Sequence, residues 1–266
     1  MSRRHLTCQV VLLALAAAPL AAQVTDPSLL TIDRIFKDES LAPAPFPRFV
    51  WAADGKSYFV FEPREGSKGG DLVKVDPVSL AKAIVVKREQ LVPTGDTVPL
   101  QPTRFTFSAD GRRLLIFTNT ARVWRLNTRG DYWVLDLATS ALRKLGGYSA
   151  MPQSLMFAKF APQGDRVAYV RSNNLYVENL SDHRITALTR DGSVTTINGT
   201  FDWVYEEEFD DRDGFRWSPD GSRIAYWQLD ASGVPLSPAH TTTRRRLTAA
   251  MQCMCIPASR DRRSQS

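Results

Sequence analysis

Three adjacent carboxylates, Glu206-Glu207-Glu208, sit inside the run Asp202-Trp203-Val204-Tyr205-Glu206-Glu207-Glu208-Phe209, and Asp210 and Asp211 follow directly. Neighbouring carboxylates repel, and they stay ionised only where water or a cation compensates them. Taken alone, such a run reads as a solvated acidic turn. The aromatics around it argue for more. Trp203, Tyr205 and Phe209 favour burial and would anchor the segment, fixing the direction of the glutamates. A carboxylate pair held in one direction suits a primary ammonium, which brings three donors and one positive charge. Nucleophilic chemistry finds less support. The three histidines are His5, His240 and His183, the last in the polar stretch Ser181-Asp182-His183-Arg184 and read as a surface residue. No Gly-x-Ser-x-Gly elbow occurs, and the nearest stretch, Gly147-Tyr148-Ser149-Ala150-Met151, lacks the final glycine. No catalytic residue is assigned.

The run Asp202-Trp-Val-Tyr-Glu-Glu-Glu208 resembles the double-glutamate motif of the dipeptidyl peptidase IV family, in the prolyl oligopeptidase group of serine peptidases. The resemblance implies a short helix projecting from a β-propeller into a substrate cavity. It also implies that the last two glutamates, Glu207 and Glu208, hold the free N-terminus of a peptide, which is how the family comes to release dipeptides. A second segment, Arg122-Val-Trp-Arg-Leu-Asn-Thr-Arg-Gly-Asp-Tyr-Trp-Val-Leu-Asp-Leu137, resembles the Trp-Arg of the same family. There it implies that Arg125 reaches into the cavity, supports the glutamates and meets a substrate carbonyl. On its own terms an arginine suits this place, since its planar fork can grip one carboxylate and still donate elsewhere. An exposed strand arginine is the plainer reading of the same residue. Tyr205 is assigned to packing. The family carries its catalytic triad on an α/β-hydrolase domain after the propeller, and nothing in these 266 residues reads as that domain. The chain is expected to be inactive alone and to depend on that domain or on another chain, and the resemblance further allows a homodimer in the complete protein.

Positioning such residues requires a scaffold, and the chain repeats. Arg48-Phe-Val-Trp-Ala-Ala-Asp-Gly55, Arg104-Phe-Thr-Phe-Ser-Ala-Asp-Gly111, Phe157-Ala-Lys-Phe-Ala-Pro-Gln-Gly164 and Phe215-Arg-Trp-Ser-Pro-Asp-Gly221 share one template, with glycines 56, 53 and 57 residues apart. Alternating strands are expected after each, at Tyr58–Phe61, Leu114–Phe117, Val167–Val170 and Ile224–Trp227. Asp-Gly between alternating apolar runs is a hairpin signal, because glycine accepts the positive φ of the turn. Third strands are expected at Leu72–Val75, Tyr132–Leu137 and Leu175–Leu180, and fourth strands at Ala83–Val86, Leu142–Leu145 and Ile185–Leu188. Four strands per unit of about 50 residues is the arithmetic of a propeller blade. The expected fold is all-β: a partial β-propeller of about four blades of four-stranded antiparallel sheet, with a short helix carrying the Glu-Glu motif. An open half-ring leaves unpaired edges and half-covered blade faces, which invite aggregation, so poor solubility or dependence on another chain is expected.

Both ends differ from this body. Residues 1–22 read as a secretory signal peptide, with Arg3 and Arg4 before the apolar run Val10 to Leu20 and Ala21-Ala22 at its exit. That run is too short to span a membrane, so a secreted or periplasmic protein is expected. Between Val24 and Pro47, Leu30 to Phe36 suggests a short helix or edge piece, and Pro43, Pro45 and Pro47 an extended lead-in. The propeller region is assigned to 23–236. Residues 237–266, rich in Thr, Arg and Ser, are read as an off-pattern, disordered tail, as a truncation or a shifted reading frame would leave. The formal charge of +6 comes from these ends, two charges from Arg3 and Arg4 and a net five from 237–266, so the body is close to neutral. Nucleic-acid binding is excluded on that ground. Cysteines are confined to Cys8, Cys253 and Cys255, so no disulfide framework, metal site or cofactor is expected in the body.

Overall fold

The structure is a computed structural model that describes residues 29–42, 48–64, 66, 69–147, 150–234 and 250–257, the last by backbone alone. The expected signal peptide and proline lead-in lie outside the described residues. Two compact units are present, 1–46 and 47–266. In the first, the expected short helix is α1 (Ile32–Lys37), whose N-cap Thr31 accepts the Arg34 amide through Oγ1 at 3.2 Å.

The second unit is a run of four β-blades. Blade 1 is β1 (Phe49–Trp51), β2 (Tyr58–Pro63), β3 (Gly70–Val75) and β4 (Lys82–Val86), antiparallel and in chain order. Blade 2 is β5 (Arg104–Phe107), β6 (Arg113–Val123), β7 (Leu126–Asp136) and β8 (Leu142–Lys144). Blade 3 is β9 (Leu155–Phe160), β10 (Arg166–Arg171), β11 (Asn174–Asn179) and β12 (Ile185–Ala187). The fourth blade contains β13 (Thr196–Asn198), then helix α2 (Trp203–Phe209), then β14 (Phe215–Trp217), β15 (Arg223–Asp230) and β16 (Ala250–Pro257). The fold is the expected partial propeller.

The turn glycines explain why the repeat folds alike each time. Gly55, Gly111, Gly164 and Gly221 all lie at φ between 63° and 73°. Each donates its amide to the carbonyl three residues earlier, at 2.8–2.9 Å. A side chain at that φ would be strained, so glycine is what lets the tight turn close. In the last turn the Asp220 carboxyl accepts from the Ser218 and Ser222 hydroxyls, and these bonds hold its pKa down to about 2. The core lies between blades. Phe59 and Phe61 of blade 1 meet Phe107 and Phe105 of blade 2 with ring centroids 4.5 and 5.1 Å apart. Leu115 and Phe117 of blade 2 pack with Val167 and Tyr169 of blade 3, and Ala168 and Val170 of blade 3 with Phe215 and Ile224 of blade 4. Each such buried large side chain is worth about 1.5–3 kcal/mol.

Three features depart from the sequence reading. The hairpin β6–β7 runs to eleven residues a side, and β7 pairs with blade 3 at Arg129↔Met156 and Gly130↔Leu155, joining blades 2 and 3 into one eight-stranded sheet. Gly130 permits this: a Cβ there would stand 2.5 Å from the Phe117 ring. Second, the stretch read as a tail without strands contains one. β16 pairs with β15 from Arg223↔Pro257 to Asp230↔Ala250. An open strand edge supplies ladder hydrogen bonds that local composition does not reveal. Third, the fourth blade's first strand is split. β13 and β14 pair with the same edge of β15, at Asn198↔Gln228 and Phe215↔Tyr226. Between them the chain leaves the sheet for residues 200–213 and returns to the place it left.

Candidate functional site

Two glycines pinch the excursion at its root. The Gly199 amide donates to Trp227 O at 2.9 Å, the Trp227 amide to Gly214 O at 2.9 Å, and the Gly214 amide to Gly199 O at 3.1 Å. A Cβ on Gly214 would lie 3.0 Å from Gly199 C and Thr200 N, so the two chain passes touch backbone to backbone. Thr200 Oγ1 adds a bond to Arg212 O at 2.9 Å. Lys159 on β9 anchors the returning pass: its ammonium pairs with Asp213, donates to Phe215 O at 3.1 Å and stands 3.6 Å from the Phe215 ring centroid. Burial pulls the Lys159 pKa down to about 8, and the Asp213 charge opposes the shift.

Helix α2 is the tip of this excursion and carries the acidic motif, as expected. Asp202 caps it, its carboxylate accepting the Tyr205 amide at 3.1 Å, and Asp210 ends it at φ +59°. The aromatics are arranged otherwise than the sequence reading supposed. Trp203 and Phe209 are 49% and 64% exposed. Tyr205 alone packs, stacked on Phe201 at 5.4 Å and tilted against Phe209 at 5.5 Å. What faces the body instead is Glu206, 5% exposed and 3.4 Å from Arg212 Nε, close enough for a charge pair though without hydrogen-bond geometry. Successive helical residues point about 100° apart, so the three glutamates separate. Glu206 turns inward, Glu207 is half-buried and Glu208 is exposed.

Arg125 meets the motif from blade 2. It occupies the tip of the β6–β7 arm, where Val123 pairs with Leu126 and only Trp124 and Arg125 make the turn. Trp124 is held at φ +49°, unusual for a bulky residue, and Arg122 Nε donates to its carbonyl at 2.8 Å. From there Arg125 Nη2 pairs with Glu207 Oε1. Residues of two blades that are not neighbours in sequence therefore converge, and two of the three expected residues, Arg125 and Glu207, are in direct contact. Glu208 stands beside them in the helix, facing solvent. A cleft of about 630 Å³ opens next to this contact, lined by Arg125, Arg48, Arg104 and the returning segment Asp210 to Asp213. Sequence reasoning missed Lys159, Asp213 and the Gly199–Gly214 pinch. The last had a signal, two glycines bracketing the acidic run.

Other candidates are placed as follows. His183 lies exposed in a tight turn at φ +61°, and His5 and His240 lie outside the described residues. Among the described residues, no three His, Cys, Asp or Glu side chains converge as metal ligands, and no helix is long and apolar enough to cross a membrane.

Comparison with known proteins returns one family. Residues 108–252 match the dipeptidyl peptidase IV (DPP IV) N-terminal region, a match that runs past Leu236 into β16. A probable dipeptidyl-aminopeptidase B of Phaeosphaeria nodorum is 32% identical over 185 residues, 69% of this chain and 19% of the relative. Dipeptidyl aminopeptidase B of Saccharomyces cerevisiae is 36% identical over 158 residues, 58% of this chain and 19% of the relative. The chain thus spans about a fifth of the length of these curated relatives. The crystal structure of Porphyromonas gingivalis dipeptidyl peptidase 4 superposes with a TM-score of 0.67 at 23% identity, covering 84% of this chain and 31% of that one, which shows a common fold.

Proposed function

The chain belongs to the family of the dipeptidyl peptidase IV N-terminal region, and from that premise we propose that α2 and the β6–β7 arm recognise the free N-terminus of a peptide. The reading makes this chain the substrate-recognition portion of an exported dipeptidyl peptidase-like serine exopeptidase, with Met1 to about Ala22 as the export signal. The observation that carries it is the Arg125–Glu207 pair at the meeting of the two elements. Arg125 neutralises part of the acidic run and fixes Glu207. The remaining lone pairs of Glu207 and both oxygens of Glu208 stay open to an ammonium. The peptide nitrogen would donate to these carboxylates while the guanidinium, which has five N–H donors, meets the first backbone carbonyl. Charge-assisted bonds of this kind contribute about 1.5–3 kcal/mol each.

Holding the terminal ammonium sets where a chain can be cut, because it fixes how many residues reach a nucleophile beyond the anchor. The acyl-transfer step belongs to a serine, histidine and acid that these 266 residues do not assemble, since no Gly-x-Ser-x-Gly sequence occurs among them. In this proposal a hydrolase domain or another chain supplies that step. A second reading of the same carboxylate–arginine site is a propeller that captures free N-termini without catalysis, which would bind peptide and release it intact.

Calorimetric titration of a tripeptide into the chain tests the assignment. Glu207→Gln and Glu208→Gln are each expected to weaken binding about 10- to 100-fold, and Arg125→Ala to weaken it comparably by freeing Glu207. Unchanged affinity in all three variants would remove the site. Incubating the same tripeptide with the chain together with a hydrolase domain of the family separates the two readings: release of the dipeptide is what a recognition portion gives, and intact peptide with tight binding is what a capture module gives.

A further inference from the structure

The β6–β7 arm leaves its blade at a break in register. Thr118 pairs with Asp131, but the next pairing is Ala121 with Arg129, so β6 carries one residue more than β7 across this step. Such a bulge bends a strand and re-aims what lies beyond it. Asn119 takes up the change at φ +44°, a conformation that asparagine tolerates better than most side chains. Past Arg129, β7 pairs with β6 alone among the described residues. The corresponding hairpins of blades 1 and 3 run six residues a side in unbroken register. The bulge therefore accompanies the arm and is no requirement of a blade.

One buried carboxylate gathers the groups around the bulge. Asp131 is 6% exposed. Its Oδ2 accepts from Asn119 Nδ2 at 2.8 Å, its Oδ1 accepts from the Gln153 amide at 2.9 Å, and Lys144 Nζ stands 3.0 Å from the same Oδ1. Gln153 completes the clamp, its Nε2 donating to Asn119 Oδ1 at 3.1 Å and to Thr120 O at 3.4 Å. The bulge is thus tied to β8 through Lys144 and, through Gln153, to the segment entering blade 3. A buried charge is tolerated only with partners of this kind, so the carboxylate and the bulge hold each other in one arrangement.

We infer that Asp131 and Gln153 are positioning residues for peptide recognition: they hold the bulge that aims the arm, and so set Arg125 against Glu207. The functional half of this inference rests on the peptide reading of that pair, whereas its geometric half does not. Arg125 lies six residues beyond Asn119, a reach of about 20 Å in extended chain. A tilt of about 10° at the root therefore carries the tip about 3 Å, enough to part Arg125 from Glu207.

Spin labels on Leu126→Cys in the arm and Val204→Cys in α2, both partly exposed positions, report the geometry by pulsed electron resonance. The full chain is used, with Cys8, Cys253 and Cys255 changed to serine. Asp131→Ala removes the carboxylate. Gln153→Asn keeps the amide bond to Asp131 and suits the φ of +58° there, losing only the reach to the bulge, so it serves if the first variant does not fold. Each is expected to broaden the distance distribution and shift its mean by about 3 Å. Tripeptide affinity is expected to fall about 10-fold in Gln153→Asn, and the same substitution to change nothing when Arg125→Ala is already present, as coupled residues require. Unchanged distances in both variants overturn the inference whatever the peptide does, and so does an equal loss of affinity in the Arg125→Ala background. Distances that shift while affinity stays overturn the peptide reading of Arg125 and leave the clamp standing.

Discussion

At the scale of single residues, direction matters more than identity. Three consecutive glutamates share a sequence and a charge, yet helical geometry sends Glu206 under the helix to Arg212, Glu207 to Arg125 and Glu208 to solvent. A seven-residue helix has no room for all its aromatics to face inward as well. Tyr205 takes the inner position by stacking on Phe201, which lies just before the helix cap, and Trp203 and Phe209 are left exposed. Lys159 offers a test of burial at the root of this structure. Its ammonium is desolvated, so its native pKa of about 8 lies below the usual lysine value of 10.5. Below about pH 8 it is protonated in both native and unfolded chains, and the full cost of burying the charge is present. Between about 8 and 10.5 the unfolded chain holds a proton that the native one has released, so this residue makes stability rise with pH. The gain is at most about 3 kcal/mol, from the size of the shift. NMR of the lysine ε-methylenes is expected to show one titration near pH 8 that disappears in Lys159→Met. A Lys159 midpoint above 10 would contradict the buried pair.

At the scale of elements, two extensions of ordinary blade parts make the site. Blade 2 lengthens a hairpin into an arm, and blade 4 opens one strand to let out α2. The sequence was informative where a single chain segment determines the outcome. The four turn glycines and the alternating strands after them are local patterns, and all four blades are legible from them. The Glu-Glu helix was legible through its resemblance to the family's motif, which a rare and contiguous run of residues carries; its cap, Asp202, was not read. The split strand was not, since β13 and β14 are three residues each and exist as strands only through their pairing with β15. β16 was hidden for the same reason: its ladder partners lie 20 to 34 residues away. The length of the arm was obscured by its polar outer half, Thr118 to Gly130, which lacks the apolar alternation of the base. If the glycine pinch sets the direction of α2, Gly214→Ala should force its Cβ against the Gly199 and Thr200 backbone. The expected result is a loss of about 1–3 kcal/mol in urea denaturation, with peptide affinity falling as α2 moves from Arg125. Full stability together with full affinity would show that the pinch has slack.

At the scale of the whole chain, blades 2 and 4 cooperate across blade 3. Arg125 and Glu207 lie 82 residues apart in sequence, and their meeting depends on both inter-blade cores. Blade 3 is fixed to blade 2 by the Gly130↔Leu155 pairing and the Arg113 link, and to blade 4 by Lys159 and Arg166. The scaffold thus holds a short acidic helix and an arginine against each other with little reliance on either element's own stability. The account's central claim is that this meeting point reads a positively charged peptide terminus. The most direct measurement is calorimetric titration of the purified chain with one tripeptide in two forms, with a free α-amino group and with that group acetylated. The free form is expected to bind and the acetylated form to bind at least about 100-fold more weakly, since it has lost its charge and two of its donors. Equal affinity for both forms would contradict the claim.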